Sequence, residues 1–441
     1  MEIGQIIFLI VLIAVAFLAI KLYGRVFRNI RLGRSEIIND QKSKRWKNVL
    51  LVAFGQKKMF KRIVPALLHF FIYTAFLLTQ VELIEIIIDG IMGKHRVLAN
   101  PLGGFYTFII GMIEVLSLLA LVATIVFVIR RVILKLKRFH SIEMKGWPTK
   151  DALIILAGEF LLIAAIFTMN GSDVLLQGMD PEHYPSTGVL PVSNWLGPAM
   201  FGNLSYESLV MLERIGWWGH IVVVFGFILY LPISKHLHIF LAFPNTWYAR
   251  LEPKGEIQNM PEVMNEVKSM LGLTEENSGM DESIGDLPEF GAKDVTGLSW
   301  KNIMDAYACT ECGRCTSECP ANITGKKLSP RKIMMDVRDR AEEIGKTLDQ
   351  NKSNVSLAEF DDGKTLFDRI TREELHACTT CNACVEACPV LINPLDIILQ
   401  MRRYEILTES SGPGDWMPMF NSLENTGAVW QVPEERDAWS K

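Results

Sequence analysis

The chain has 441 residues, a formal net charge of −4 at pH 7 and 49% hydrophobic residues. This near-neutral charge argues against bulk binding of nucleic acid, and the positive mean hydropathy predicts that part of the chain lies in lipid. All eight cysteines fall in two short clusters, at 309–319 and 378–388. A small secreted domain held by disulfides would scatter its cysteines, so this distribution indicates metal or cluster ligation in a reducing compartment.

Five apolar runs predict a bundle of five membrane-spanning helices. They lie at roughly 5–22, 63–91, 105–130, 151–170 and 215–243. Each is long enough to cross a hydrocarbon core of about 30 Å. The first run has no basic region before it and no A-x-A-like cleavage site after it, so we expect a retained helix instead of a signal peptide.

The charges between these runs predict their orientation. The segment 25–62 is rich in Lys and Arg, opposed only by Glu36 and Asp40, whereas 171–213 contains neither Lys nor Arg. By the positive-inside rule, the N-terminus lies outside and the C-terminus in the cytoplasm, which places the protein in the cytoplasmic membrane. Within the outer loop, 189–201 is predicted to lie on the membrane surface; the alternative is a cover over a site for a lipid-soluble substrate.

The composition changes after Phe243 and divides the chain into four predicted parts. A mostly α-helical domain is expected around the cysteines, with helices at 330–345 and 394–407 that each begin at a proline. A short helix is expected at 261–271. The aromatic tail, with Trp416, Phe420, Trp430 and Trp439, is predicted either to dock on a partner or to pack back on the domain. The parts are a membrane domain 1–246, a linker 247–299, the cysteine domain 300–405 and the tail 406–441.

Both cysteine clusters follow the pattern C-x2-C-x2-C-x3-C-P, the spacing of bacterial ferredoxins. In that arrangement the first three cysteines ligate one [4Fe–4S] cluster and the fourth ligates the other. The first cluster is therefore predicted on Cys309, Cys312, Cys315 and Cys388, and the second on Cys378, Cys381, Cys384 and Cys319. Two zinc sites are the alternative, although zinc sites usually use two separated C-x2-C pairs.

Two histidines of the apolar runs predict a b-type haem. His69 lies about two turns into the second span from its cytoplasmic end, and His238 lies at a matching depth in the fifth. His220 and His238 are 18 residues apart, which is five helical turns, so they share one helix face about 27 Å apart in depth. His236 would be rotated about 160° away from that face. The alternative for each residue is a hydrogen-bonded interior histidine.

The remaining polar residues of the spans are predicted to have several roles. His220 either binds a second haem, lines a quinone pocket or forms a hydrogen bond; Thr79 stands where a second haem would need its partner. Glu114 and Glu159 are candidates for proton relay to a quinone, while Glu82 and Glu85 are expected near the outer interface. His140, His183 and His376 are predicted to be surface residues, and His95 lies beyond the second span.

The two halves each resemble a known family. His69, the spacing of His220 and His238, and 232-PISKHLHIF-240 make the membrane half similar to the cytochrome b (gamma) subunit of respiratory nitrate reductase and the membrane subunit of methanogen heterodisulfide reductase. That resemblance implies five spans, an outside N-terminus and haem ligands on the second and fifth spans. Thr79 departs from the members with two haems, which place a histidine ligand there.

The cysteine runs make the second half similar to the ferredoxin subunit of heterodisulfide reductase and related iron–sulfur oxidoreductases. The tail 419–439 resembles the segment that, in fused relatives, leads into a domain with Cys-Cys-Gly motifs. These resemblances imply a Cys-Cys-Gly-type subunit, or another cytoplasmic redox protein, as the partner.

The sequence as a whole predicts a membrane-bound electron-transfer subunit between the quinone pool and a cytoplasmic redox partner, through haem b and two [4Fe–4S] clusters. The cofactors would carry the chemistry, since no G-x-G-x-x-G fingerprint and no nucleophile–base pair indicates a substrate site in the chain. No nucleic-acid partner is expected. The alternatives are a haem-free membrane anchor that carries a ferredoxin domain, and a zinc-binding membrane protein.

Overall fold

The computed structural model describes residues 3–253, 255–273, 290–350, 360–430 and 437–440. Throughout these ranges the secondary structure is helical, apart from one isolated bridge between Arg34 and Ser299. The predicted mostly-α fold is confirmed. The part of the linker at 274–289 and of the tail at 431–436 lies outside the described residues.

Five long helices in the N-terminal half are long and apolar enough to cross a membrane, as predicted. These five are α1, α3, α5, α6 and α8, and shorter helices lie between and after them. The helices of this half are α1 (Ile3–Ile30), α2 (Lys42–Asn48), α3 (Ile63–Met92), α4 (Ala99–Leu102), α5 (Gly104–Val128), α6 (Trp147–Met179), α7 (Ser193–Phe201), α8 (Tyr206–Tyr230) and α9 (His238–Trp247).

Among the helices of the bundle, α6 and α8 pack most closely, and Gly216 of α8 permits this close approach. A Cβ atom on Gly216 would lie 2.5 Å from the Met169 backbone nitrogen and 2.9 Å from the Ala165 carbonyl oxygen. The two backbones therefore touch at this level, as small residues allow in membrane bundles. Large apolar side chains such as Ile10 and Phe17 of α1 point outward, where they would face lipid.

The predicted fifth span is broken near its inner end. Helix α8 ends at Tyr230, two short 3-10 turns follow at Leu231–Ile233 and Lys235–Leu237, and α9 begins at His238. Pro232 lacks a backbone N–H and cannot continue the helix. The prediction that His220 and His238 share one helix face is therefore wrong, and so is the helical rotation that set His236 aside.

The outer loop 189–201 contains a helix, α7. Its Gly197 lies against the backbone of Gly171 in α6, and Trp195 and Met200 are exposed. This segment is thus packed on the bundle by one face and presents large apolar side chains on the other.

The C-terminal half is built from nine further helices within the described ranges. The helices predicted at 261–271, 330–345 and 394–407 are present as α10, α14 and α17, with α17 continuing into a π-helical turn at Tyr404–Thr408. In chain order they are α10 (Pro261–Met270), α11 (Trp300–Tyr307), α12 (Arg314–Ser317), α13 (Pro320–Ile323), α14 (Pro330–Gln350), α15 (Arg372–His376), α16 (Ala383–Ala387), α17 (Pro394–Arg403) and α18 (Met417–Thr426).

One hydrophobic core joins this half to the inner ends of the membrane helices. Its buried side chains include Ile303, Ile333 and Ile397 of the cysteine domain together with Val26 of α1 and Leu237 of the turn before α9. Burial of such side chains contributes roughly 1.5–3 kcal/mol each. The cysteine domain is therefore seated directly on the end of the bundle that the charges predict to be cytoplasmic.

Hydrogen bonds reinforce this seat. Arg28 donates to the Gly345 carbonyl oxygen of α14 (2.8 Å), and Asn29 donates to the Tyr307 hydroxyl (3.0 Å). Asn245 of α9 donates to the Val390 carbonyl oxygen beside the second cysteine cluster (2.9 Å). Three separate residues on the membrane side thus fix the position of the cysteine domain.

The tail packs back on the domain in part. Trp416 lies against the His376 ring at 4.9 Å and against Phe420 at 6.3 Å. Trp430 and Trp439 are exposed. Packing back on the domain therefore applies to Trp416, which also contacts Phe420. The exposed Trp430 and Trp439 are available for the other predicted role, docking on a partner.

Candidate functional site

The two cysteine loops repeat one backbone conformation. In the first, Glu311 and Gly313 have positive φ angles of 54° and 71°; in the second, Thr380 and Asn382 have 54° and 59°. Each pair stands two and four residues after the first cysteine of its run. These residues lie in the left-handed region, so the backbone of each loop turns sharply between its first and third cysteines. A short helix, α12 or α16, then carries the third cysteine.

The first loop and the last cysteine of the second loop line one cavity. Its wall includes the thiols of Cys309, Cys312, Cys315 and Cys388. Cys319 in turn lies close enough to Cys378 and Cys384 for their charges to interact. The fourth cysteine of each run thus lies beside the other loop, which is the exchange that the ferredoxin spacing predicts.

The eight thiols are free and suit a bulky cluster. None forms a disulfide, and among the described residues no three His, Cys, Asp or Glu side chains converge as they would on a single metal ion. Ligands of one zinc ion stand about 3.8 Å from each other, because each Zn–S bond is about 2.3 Å. In a cubane each thiolate binds a different iron, so the four cysteine sulfurs stand farther apart than they do around one zinc ion.

Burial controls the protonation state of the thiols, and the two sets differ in how far they are exposed. It raises the pKa of Cys309, Cys384 and Cys388 to about 12, so these groups hold their protons until iron displaces them. Cys381 is the exception and is exposed. The set around Cys381 therefore reaches the surface.

His69 of α3 and His238, the first residue of α9, lie close together at the inner end of the bundle. Their ring centroids are 6.4 Å apart. At this separation the two rings would leave room for one iron between them, so His69 and His238 would be the residues that hold a haem.

Hydrogen bonds define which nitrogen each ring presents. The Nδ1 atom of His69 donates to Gln56 Oε1 (3.2 Å), and that of His238 donates to the Lys235 carbonyl oxygen (3.1 Å). Such bonds place the proton on Nδ1 and leave Nε2 with a lone pair for a metal. His236 lies 5.6 Å from His238, between that ring and Phe227. It belongs to the same histidine cluster, which the helical geometry did not predict.

Arg314 links the histidines to the first cysteine loop. This buried residue stands between Cys312 and Cys315 in sequence, and its guanidinium donates to the Met59 carbonyl oxygen just before α3 (3.4 Å). It interacts electrostatically with His69 on one side and with Cys312 and Cys388 on the other. The histidine pair and the first set of thiols are thus neighbours.

The roles predicted for His220, a second haem, a quinone pocket or a hydrogen bond, stay predictions. The residue is buried in α8, and its Nδ1 atom has no hydrogen-bond partner within the described structure. Thr79, at the position where a partner was sought, donates to the Phe76 carbonyl oxygen of its own helix (3.0 Å).

Glu114 has a structural role that the sequence did not indicate. Its carboxylate accepts from the backbone N–H groups of Val192 (3.0 Å) and Ser193 (3.1 Å), and from the Ser193 hydroxyl. It thereby caps the N-terminus of α7, where an anion is favoured by the unpaired N–H groups and the helix dipole. Glu159 accepts from Thr124 Oγ1 (3.2 Å) and is half-buried, so it remains accessible at mid-depth.

Buried acidic residues lie at the outer end of the bundle, where the sequence predicted Glu82 and Glu85 near the interface. Both carboxylates face the interior of the bundle, since Glu82 and Glu85 are 1% and 2% exposed. Glu85 accepts from the Tyr106 hydroxyl (2.7 Å), but neither oxygen of Glu82 has a hydrogen-bond partner within the described structure. With Asp89, they stand at i, i+3 and i+7, one face of α3, and that spacing was the available signal.

The loop after α3 closes over this group. Arg96 is buried and donates to Asn170 Oδ1 and the Tyr106 hydroxyl (3.1 Å), while His95 bonds Asp173 at 3.0 Å. His95 thus packs inside the outer end.

The three histidines predicted at the surface divide into two kinds. His140 and His183 are exposed, as predicted. His376 is not a surface residue: it bonds buried Glu405 at 2.7 Å. The prediction for His376 is therefore wrong, because the tail and α17 cover a residue that the sequence leaves without any apolar pattern.

Residues 308–392 match the family model of the 4Fe-4S dicluster domain. The chain is 28% identical, over 99% of its length and 60% of the relative's, to a protein named probable iron-sulfur-binding oxidoreductase FadF from Bacillus subtilis. It is 25% identical, over 89% of its length and 53% of the relative's, to EtfAB:quinone oxidoreductase of Syntrophomonas wolfei.

A third relative is a probable membrane-anchored ferredoxin from Chromohalobacter salexigens. It is 27% identical over 54% of this chain and 34% of its own length. No solved structure matches the chain significantly. The chain spans little more than half the length of the two relatives that it matches most fully. On these comparisons it resembles iron–sulfur oxidoreductases and carries a 4Fe-4S dicluster domain at residues 308–392.

Proposed function

We propose that the protein transfers electrons between a quinone in the bilayer and a redox partner in the cytoplasm, through one haem b and two [4Fe–4S] clusters. His69 and His238 would hold the haem. Cys309, Cys312, Cys315 and Cys388 would hold the cluster next to it, and Cys378, Cys381, Cys384 and Cys319 the outer one. The bound groups would supply one-electron chemistry, and the chain would supply their ligands, spacing and burial.

The observation that carries this proposal is the position of Arg314, a buried residue of the first cysteine loop that interacts electrostatically with His69 and with the thiols of Cys312 and Cys388. This position supports a route for electrons between the histidine pair and the first thiol set. At its far end stands Cys381, the exposed thiol of the second set.

Separate observations support the quinone and the partner. A relative's name includes quinone oxidoreductase, and half-buried Glu159 at mid-depth supplies a carboxylate that a quinone hydroxyl group could use for proton transfer. The unpaired and buried Glu82 is a second candidate for proton transfer, nearer the outer end. A Cys-Cys-Gly-type subunit or another cytoplasmic redox protein would dock beside Cys381.

Reduced-minus-oxidised visible spectroscopy of the purified protein tests the haem. We expect the sharp alpha band of a b-type haem, lost in His69→Ala and His238→Ala because each removes an axial ligand. His236→Ala is the matched control, since it removes a histidine of the same cluster and should leave the band in place. Equal loss in all three variants would contradict the ligand assignment.

The runner-up is a haem-free membrane anchor that carries a ferredoxin domain, supported by the tight seat of the cysteine domain on the bundle. Iron and acid-labile sulfide at about eight atoms each per chain, with no alpha band, would decide for it. Zinc in place of iron would decide against both functions.

A further inference from the structure

A single lysine contacts both halves of the proposed electron route. Lys235 lies in the turn between α8 and α9 and is 8% exposed. Its carbonyl oxygen accepts the hydrogen bond from His238 Nδ1 (3.1 Å), while its ammonium group forms a close ion pair with the Glu311 carboxylate and donates to the Pro148 carbonyl oxygen (2.6 Å). The residue therefore lies between a histidine of the haem site and the first cysteine loop.

Glu311 is an unusual occupant of that loop. It stands between Cys309 and Cys312 and is 2% exposed. Its second oxygen accepts from Arg338 Nη1 at 2.8 Å, so the carboxylate is held between two cations. A carboxylate this deeply buried is costly unless it is paired and hydrogen-bonded, and here both conditions are met. The first cysteine loop thus holds a fixed ion pair.

The bundle holds the lysine in place. Asp151 of α6 is 1% exposed and accepts from the Tyr230 hydroxyl (2.6 Å), the Ser234 hydroxyl (2.7 Å) and the Lys235 backbone N–H (3.1 Å). The ammonium group also lies 3.8 Å from Asp151 Oδ2, but these three bonds fix the turn to α6 without it. Removal of the ammonium group should leave the turn intact.

The second loop lacks this arrangement. The position equivalent to Glu311 is Thr380, which has the same positive φ angle but no charge. The hydroxyl of Thr380 donates to the neighbouring Thr379 carbonyl oxygen (2.8 Å). The two loops thus share a backbone fold, and they differ in that only the first has a charged residue at this position.

We propose that Lys235 and Glu311 set the reduction potential of the first cluster relative to the second. The inference rests on the proposed function, since it needs both clusters. Added electron density on a cluster is stabilised by a nearby cation and opposed by a nearby anion, and net local charge is one of the main determinants of cluster potential. Both residues act on the cluster through space and are positioning residues, not ligands.

Redox titration monitored by electron paramagnetic resonance tests the inference, with Lys235→Gln and Glu311→Gln in the full-length protein. Both variants break the same ion pair but change the local charge in opposite directions. At a fixed potential we expect the reduced-to-oxidised ratio of the first cluster to fall about tenfold in Lys235→Gln and to rise about tenfold in Glu311→Gln, where tenfold corresponds to 59 mV for one electron. The second cluster should not change.

Three further variants complete the design. Lys235→Arg keeps the charge and should keep the wild-type ratio, and the double variant Lys235→Gln/Glu311→Gln should return close to it. Lys327→Gln is the matched control, because Lys327 also pairs with a glutamate, Glu373, but on the exposed surface. It should leave both clusters unchanged.

The outcomes separate this inference from the proposed function. Equal iron content with shifts of the same sign in both single variants, or with no shift, overturns the inference and leaves the proposed function standing. Loss of the first cluster in both variants would mean that the pair only holds the loop, which also overturns it. A wild-type protein without iron–sulfur signals would refute the proposed function itself.

Discussion

At the scale of single residues, the thiols carry most of the chemistry and differ in how they meet solvent. Cys309, Cys384 and Cys388 are buried, whereas Cys381 is exposed. Spacing alone predicted the pairing of the loops, because the C-x2-C-x2-C-x3-C-P run has only a few compatible conformations. It could not predict which thiols are buried, because that depends on how the domain sits on the bundle.

Alkylation of the cluster-free protein tests this difference. Iodoacetamide should label Cys381 first at pH 8, and Cys309 and Cys388 only slowly, since burial raises the pKa of those two to about 12 and the thiolate is the reactive form. Mass spectrometry of tryptic peptides measures the order. Equal labelling of all eight thiols would contradict it.

The same shifts predict how stability of the cluster-free protein changes with pH. The pKa of each of these folded thiols is about 12, above the ordinary value of 9.0. The folded state therefore binds more protons than the unfolded state between these values, so this contribution is complete below pH 9 and is lost as pH rises toward 12. Chemical unfolding of the cluster-free protein at several alkaline pH values measures it.

Serine substitutions test the exchange of the fourth cysteines. Cys319→Ser should give the same altered paramagnetic resonance spectrum as Cys381→Ser, and Cys388→Ser the same as Cys312→Ser, because each pair would ligate one cluster. If the loops did not exchange ligands, Cys319→Ser would instead match Cys312→Ser. The comparison requires no prior assignment of either spectrum.

At the scale of helices, the break after α8 and the cap of α7 each depend on a single residue that a hydropathy profile does not detect. Pro232 ends α8 early and starts α9 at His238. Glu114 caps α7 and so turns a loop predicted on the membrane surface into a packed helix. Apolar runs predicted all five spans, since length and hydropathy are additive properties of a segment. Breaks and caps depend on one proline or one carboxylate and on its partner in another segment.

Glu114 should behave as a structural residue. Glu114→Ala leaves two buried N–H groups at the start of α7 without a partner, which costs about 1–3 kcal/mol each. Glu114→Gln keeps one acceptor oxygen and should cost less. Thermal unfolding in detergent measures both. A loss of quinone-linked electron transfer in Glu114→Gln at unchanged stability would restore the proton-relay role predicted from sequence.

The contact between α6 and α8 has a matched pair of glycines. Gly216→Ala places a methyl group 2.5 Å from the Met169 nitrogen and should destabilise the bundle by about 1–3 kcal/mol. Gly226→Ala, on the same helix, meets no atom within 4 Å and should change stability by less than about 1 kcal/mol. Thermal unfolding in detergent compares the two. Equal effects would show that helix propensity, not packing, governs both positions.

At the scale of the whole molecule, the sequence predicted the two halves correctly but not the contact between them. Composition separates an apolar half from a cysteine-rich half, and each has its own pattern. Their contact depends on isolated residues such as Asn29, Asn245 and Arg314, which have no periodicity and no motif. The pair of His69 and His238 was predicted because histidines in apolar runs are conspicuous. The contact between the two halves was not predicted, because asparagines at helix ends are inconspicuous.

The shared core has a consequence for biogenesis. Val26 is translated early, whereas its neighbours in the core, from Leu298 to Met401, are translated much later. The cysteine domain therefore cannot complete its core on leaving the ribosome unless α1 is already in the membrane with its inner end free. Membrane insertion would come first and cluster loading second, so the iron-delivery machinery would meet this protein at the bilayer and not in the cytosol.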